Sequence, residues 1–321
     1  MVRLETRRSF MARGTQVWLN GKILPAEEAK ISLFTHALHY GVGAFEGIRA
    51  YQQPSGKGAI FRLREHLERL FDSCKILGIE IPFTLDQLTD ATRATCRANQ
   101  FQECYIRPIV YIGDGPLGVN PGNTPPIDVA ILNWEWGSYL GDQGKEQGTR
   151  LKISSFIRPH VNSSMTKGKI TGQYVNSVMA KKEAIAAGFD EALLLDAEGF
   201  LTEGSGENLF VVKDGIIKTT ALTSILNGIT RKTVMTYLNS RKYTVQEARF
   251  TRDELWCADE VFLTGTAAEI TPVREIDYRP IGKGSYLGKP GPITQEIQKA
   301  YHGMVRGELP ELSKNWLTPI D

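Results

Sequence analysis

The chain has 321 residues, 41% of them hydrophobic and 23% charged, with a formal net charge of +2. That balance suits an ordinary folded protein long enough for two cores, and it lacks the basic excess of a nucleic-acid or membrane-surface binder. Four cysteines (Cys74, Cys96, Cys104, Cys257) form no CxxC pair and no cluster with histidine, so they read as reduced thiols in a cytoplasmic setting and not as a metal site.

Residues 1–14 carry Arg3, Arg7, Arg8 and Arg13 without an apolar stretch. They read as a tail and not as a secretory signal, with a transit peptide or a second start at Met11 as alternatives. No apolar run is long enough to span a membrane as a helix. Residues 16–24 predict a hairpin around Asn20-Gly21. The run from His36 to Gly41 and the stretch FEGIRAY (residues 45–51) place glycine and aromatic residues close together. This suits a backbone packed against a ligand or another chain, or equally a glycine-bent strand with core aromatics. Residues 59–78 predict a strand end and then a helix with Leu67, Leu70, Phe71 and Cys74 on one face. Arg69 lies between them, where most helical arginines are solvated. A second amphipathic helix follows over 85–99, then a strand over 105–112. Alternation puts Tyr105 and Arg107 on one face of that strand, where an arginine can receive a carboxylate or simply form a surface ion pair. Residues 113–122 form a glycine- and proline-rich loop with Leu117-Gly118-Val119, and 128–136 another strand. Residues 137–150 read as a linker between a unit over 15–136 and a larger one over 151–321.

The second half holds the chemistry. Lys169 lies among small residues in TKGKITGQY (residues 166–174) with no nearby acid, the setting in which an amine loses solvation and becomes a nucleophile. A helix over 176–188 and a strand over 191–196 lead to Glu203 and the turn EGSGENLF (residues 203–210). A hairpin turns at Lys213-Asp214-Gly215. Asn227 suits an N-cap for a helix over 231–238, and the amides of Gly228, Ile229 and Thr230 then make either an anion site or simply a capped helix start. A strand over 260–264 opens into the small-residue loop at 265–269, and residues 291–307 form a last helix. An amine nucleophile, an acid after a strand and two amide-lined loops are the parts a pyridoxal phosphate enzyme needs. Spacing alone leaves that reading only possible.

The ordered set HALHYG, FEGIRAY, REHLERL, YIRP, LGVNP, KITGQYVNS, EGSGENLF, NGITR and GTAAEITPV resembles the branched-chain amino acid aminotransferases of fold type IV, over roughly residues 16–306. The resemblance implies two mixed α/β (α+β) domains with pyridoxal 5'-phosphate in the cleft between them, in a homodimer or larger homo-oligomer. It implies transamination between branched-chain L-amino acids and 2-oxoglutarate, with no nucleic acid or membrane partner. Lys169 matches the Schiff-base lysine, Tyr174 the partner of the cofactor's phenolic oxygen, and Glu203 the carboxylate on the ring nitrogen, backed by Glu207. Arg69, Ile229, Thr230 and Thr266 match phosphate ligands, and Asn208, Leu226 and Gly228 complete the cofactor site. Tyr40, Phe45, Gly47, Arg49, Tyr105, Arg107, Trp136, Tyr139, Thr266, Ala267 and Ala268, with Tyr174, match the substrate pocket. Leu117 and Val119 would reach in from a second subunit. Many relatives have a pair of glycines after the lysine, where this chain has Ile170 and Thr171. The spacing to Tyr174 is kept, while the backbone path and pocket shape are left open. The same cofactor site also serves D-amino acid and (R)-amine aminotransferases and aminodeoxychorismate lyases. The Tyr105-Ile106-Arg107 run and the LGV loop favour the branched-chain type. A non-catalytic binding protein on this fold is the weakest alternative, because every cofactor position is intact.

Overall fold

The computed structural model describes residues 12–123, 125–137 and 141–321. Alternation and turn chemistry build an antiparallel sheet of eight strands and a mixed sheet of nine among the described residues. In the first, Asn20 and Gly21 both take positive φ, 47° and 94°, and close Gln16–Leu19 onto Lys22–Pro25. The long strand Cys104–Ile112 lies centrally, paired with Gly43–Phe45, Ile48–Gln52 and Ile127–Trp134. Two amphipathic helices, Leu63–Ile76 and Leu85–Ala98, cover this sheet. The second starts with a reciprocal cap between Thr84 and Gln87. Leu67, Leu70, Leu88, Ile106 and Ile131 are fully buried in the core between these layers.

The second sheet runs from Leu201–Gly204 and Glu191–Leu195 through Thr149–Ile153, Glu269–Ile276, Glu260–Gly265 and Asn208–Lys213 to Ile216–Thr220 and Val245–Ala248. Asp214 and Gly215, again at positive φ, turn the hairpin between Asn208–Lys213 and Ile216–Thr220. Helices Ile229–Ser240 and Pro292–Val305 pack on one face around stacked Phe210 and Phe262. Tyr51 and Phe61 of the first sheet join that same core. The two sheets therefore share buried apolar surface, which fixes the cleft between them. No helix among the described residues is long and apolar enough to cross a membrane.

The expected unit boundaries need correction at two points. Thr149 and Arg150, assigned to the linker, belong to the strand Thr149–Ile153, and the stretch before them forms the helix Gly141–Gln147. The end of the chain returns to the first sheet: Leu317–Pro319 pairs with Gly58–Phe61, and Arg93 and Arg97 bind the carbonyls of Pro319, Asp321 and Ile320. An edge strand with unpaired backbone groups recruits whichever segment can reach it, and local sequence patterns do not reveal which one will.

Candidate active site

Lys169 is held by its backbone before its side chain does anything. Its N–H donates to Ser73 Oγ at 2.9 Å, its carbonyl accepts from Phe45 N at 3.0 Å, and the next residue, Ile170, bridges Ala44. Ile170 is buried, and the Thr171 hydroxyl donates to Gly41 O at 2.6 Å. The bulkier pair thus binds the small-unit backbone, and neither residue lines the cleft. Gly172 comes so close to Gly41 that a Cβ on Gly41 would meet its Cα at 2.8 Å.

Lys169 Nζ lies 2.7 Å from Tyr174 Oη and 5.1 Å from the Phe45 ring centroid. Across the cleft, Glu203 at the end of Leu201–Gly204 is buried. Its carboxylate accepts from Asn208 Nδ2 at 3.0 Å, Leu226 N at 3.2 Å and Arg158 Nη2 at 2.8 Å. Burial pushes this carboxyl above its ordinary range, and Arg158 opposes the shift. Glu207 is pushed up to about 8 by burial and by the nearby Glu191.

At the other end, the helix Ile229–Ser240 begins with no side-chain cap, so its first amides have no partner within the helix. Gly228, not the expected Asn227, occupies the cap position, because Gly228 is the extended residue before the first helical turn. Asn227 instead offers its carbonyl to Arg69 Nη1 at 3.0 Å. A Cβ at Gly228 would lie 1.9 Å from Asn208 Oδ1, so this position must be glycine if Asn208 is to hold Glu203.

Arg69, Lys169, Tyr174, Glu203, Glu207, Asn208, Leu226, Gly228, Ile229, Thr230, Thr266 and Ala267 line one cavity with Gly47 and Tyr105. Arg158, Ser205, Gly206, Thr264 and Gly265 also line it. Arg158 had no signal in its local sequence, since only the fold brings it to Glu203. Ser205 and Gly206 were within reach, inside EGSGENLF.

Several expected pocket residues are not among those lining this cavity within the single chain. Arg49 is drawn to the buried Glu269 at 3.2 Å, which also accepts from Tyr51 Oη and pairs with Lys145. A buried carboxylate takes the nearest guanidinium, so Arg49 anchors the 265–269 loop and is absent from the cavity lining. Ala268 is buried, with its carbonyl accepting from Thr271. Arg107 stands beside the cleft with its guanidinium over Phe45 at 4.5 Å, ringed by Tyr105 and Trp134. Trp136 packs at a tilt against Tyr105, with ring centroids 4.8 Å apart. Tyr139 lies outside the described residues. Tyr40, Leu117 and Val119 are exposed, and His36 Nε2 ties the LGV loop in place through Gly118 O at 2.8 Å.

The cleft thus offers an amine beside a phenol, a buried carboxylate opposite, and amides with an arginine at one end. That donor set suits a flat heteroaromatic aldehyde carrying a phosphate. The family model described as Amino-transferase class IV matches residues 43–276. A branched-chain-amino-acid aminotransferase of Pseudomonas aeruginosa is 46% identical over 312 residues, 97% of this chain and 99% of its own. The branched-chain-amino-acid aminotransferase of Escherichia coli K12 is 41% identical over 306 residues, 95% and 97% of the two chains. The crystal structure of the branched-chain amino acid aminotransferase from Thermobaculum terrenum, in its PLP form, superposes with a TM-score of 0.89 at 33% identity, covering 97% of this chain and 99% of that one. With most of its length matched at this identity, the chain belongs to the class IV aminotransferases, in the branched-chain-amino-acid aminotransferase family.

Proposed function

We propose that the protein uses pyridoxal 5'-phosphate to move the amino group of leucine, isoleucine or valine to 2-oxoglutarate. The observation that carries this reading is the meeting in one cavity of Lys169, Tyr174 and Glu203 with Arg69 and the amides of Ile229 and Thr230. Two buried polar atoms of its lining, Thr264 Oγ1 and Arg158 Nε, have no hydrogen-bond partner among the described residues, as befits a wall that receives a polar ligand. Bound there, the cofactor supplies an aldehyde carbon for amine exchange and a ring that draws electrons from the substrate's α-carbon.

Lys169 Nζ takes the α-proton and returns it, and Tyr174 Oη at 2.7 Å keeps that nitrogen aimed into the cleft. Glu203 would set its negative charge against the cofactor's ring nitrogen, and a cation placed there would draw the carboxyl back towards its ionised form. Arg69, Ile229, Thr230 and Thr266 hold the phosphate. Phe45 and Tyr105 supply apolar walls for a branched side chain, and Arg107 supplies a charge for glutamate's second carboxylate. Tyr40, Leu117 and Val119 act across a homodimer interface, which is consistent with the exposure of Leu33, Phe34, Leu38 and Val119 at 79%, 63%, 57% and 91%. Four unpaired cysteines suit a reducing cytoplasm.

The test is spectroscopic and chemical. Protein purified with pyridoxal phosphate is expected to absorb in the visible range and to bleach on adding leucine. Borohydride reduction before proteolysis is expected to label Lys169. A label on Lys167, or no response to leucine, would overturn the reading.

A further inference from the structure

Glu46 is a carboxylate with no exposed surface, at the turn between Gly43–Phe45 and Ile48–Gln52. Such a group needs a full set of donors. Arg69 supplies two, Nε to Oε1 at 2.7 Å and Nη2 to Oε2 at 2.9 Å. His66 Nδ1 lies 2.6 Å from Oε2, and Gly47 N donates to the same oxygen at 3.2 Å. Burial works to raise the Glu46 carboxyl, and Arg69 and His66 more than reverse this, so it stays ionised.

The consequence lies in what remains of Arg69. A guanidinium has five N–H groups in one plane. Two are committed to Glu46 and one to Asn227 O at 3.0 Å, which leaves two on a side chain that lines the cavity. The bidentate pair fixes the plane, and with it the direction of the free donors. The same carboxylate grips Gly47 N, and Gly47 sits against Tyr105, whose Oη would be 1.9 Å from a Cβ there.

Building on the pyridoxal phosphate reading, we infer that Glu46 is a positioning residue: it aims Arg69 at the cofactor's phosphate and anchors the Gly47 turn under the substrate. Glu46 does not touch the ligand. It acts through Arg69.

The experiment compares two aldehydes on apoprotein. Pyridoxal phosphate and unphosphorylated pyridoxal are titrated by absorbance into the parent, Glu46→Gln and Arg69→Met proteins, and into the double variant. Glu46→Gln is expected to weaken pyridoxal phosphate about tenfold, the scale of one charge-assisted contact, and to leave pyridoxal unchanged. In the Arg69→Met background, the same change is expected to add little further loss. Glu46→Asp keeps the charge but is one methylene shorter. It is expected to show the same selective loss to a smaller degree, and it serves if Glu46→Gln does not fold. Undiminished binding of pyridoxal phosphate by the Glu46 variants would overturn the inference. So would equal weakening of both aldehydes, which would mean that the carboxylate serves the fold alone. A parent protein that bound neither aldehyde would instead overturn the functional reading on which the inference rests.

Discussion

Lys169 depends on two contacts from distant parts of the chain and one from its own stretch, five residues on. Ser73, Phe45 and Tyr174 fix its backbone and its amine, and none of these contacts is local in the helical or strand sense. Arg107 shows the same logic for specificity. Its guanidinium is held by aromatic faces rather than by an acid, and its Nε has no hydrogen-bond partner among the described residues. An arginine stabilised this way keeps its charge available and still tolerates an apolar neighbour. Arg107→Met is therefore expected to lower kcat/KM for glutamate and 2-oxoglutarate by about ten- to hundredfold while largely sparing leucine and its oxo acid. Steady-state kinetics with both substrate pairs checks this, and equal losses on both would assign Arg107 to supporting the pocket. Arg49 is no substitute, because Glu269 already holds it.

At the scale of elements, the site is a set of strand ends and helix starts facing one another. The uncapped start of Ile229–Ser240 leaves amides for an anion, and Arg69 comes to it from the middle of Leu63–Ile76. Glycine at 228 allows this closeness, since any side chain there meets Asn208 at 1.9 Å. Gly228→Ala is expected to push Asn208 off Glu203 and to destabilise the protein by about 1–3 kcal/mol, the usual cost of overpacking. Denaturant melts of the apoprotein measure that loss. Titration with pyridoxal phosphate is expected to show weaker binding as well. An alanine variant with unchanged melting and affinity would show that the wall yields without strain.

For the whole molecule, two sheets share one core, and the last strand closes on the first sheet. The apolar residues left outside, Leu33, Phe34 and Leu38 with Leu117 and Val119, lie on two segments tied together by His36 and Gly118. Apolar residues exposed together in this way on a monomer mark an interface. Sedimentation is expected to give at least twice the 35.7 kDa chain mass. Val119→Asp is expected to shift the assembly towards monomer and to reduce activity in proportion. A fully active monomeric variant would separate these segments from the site.

The sequence by itself determined the hairpins at Asn20-Gly21 and Asp214-Gly215, the amphipathic helices and the strand over 105–112, because turn chemistry and periodicity are local. It also made Lys169 and Glu203 candidates through residue types that carry the chemistry, and Arg69 through the family resemblance alone. Only the tertiary structure decided that Gly228 rather than Asn227 caps the helix Ile229–Ser240, that Arg158 meets Glu203, and that Glu269 captures Arg49. It also decided that the chain's end joins the first sheet. The reason is common to all four. Each depends on which group lies nearest a buried charge or an open backbone edge, and that distance is set by the packing of segments far apart in the chain.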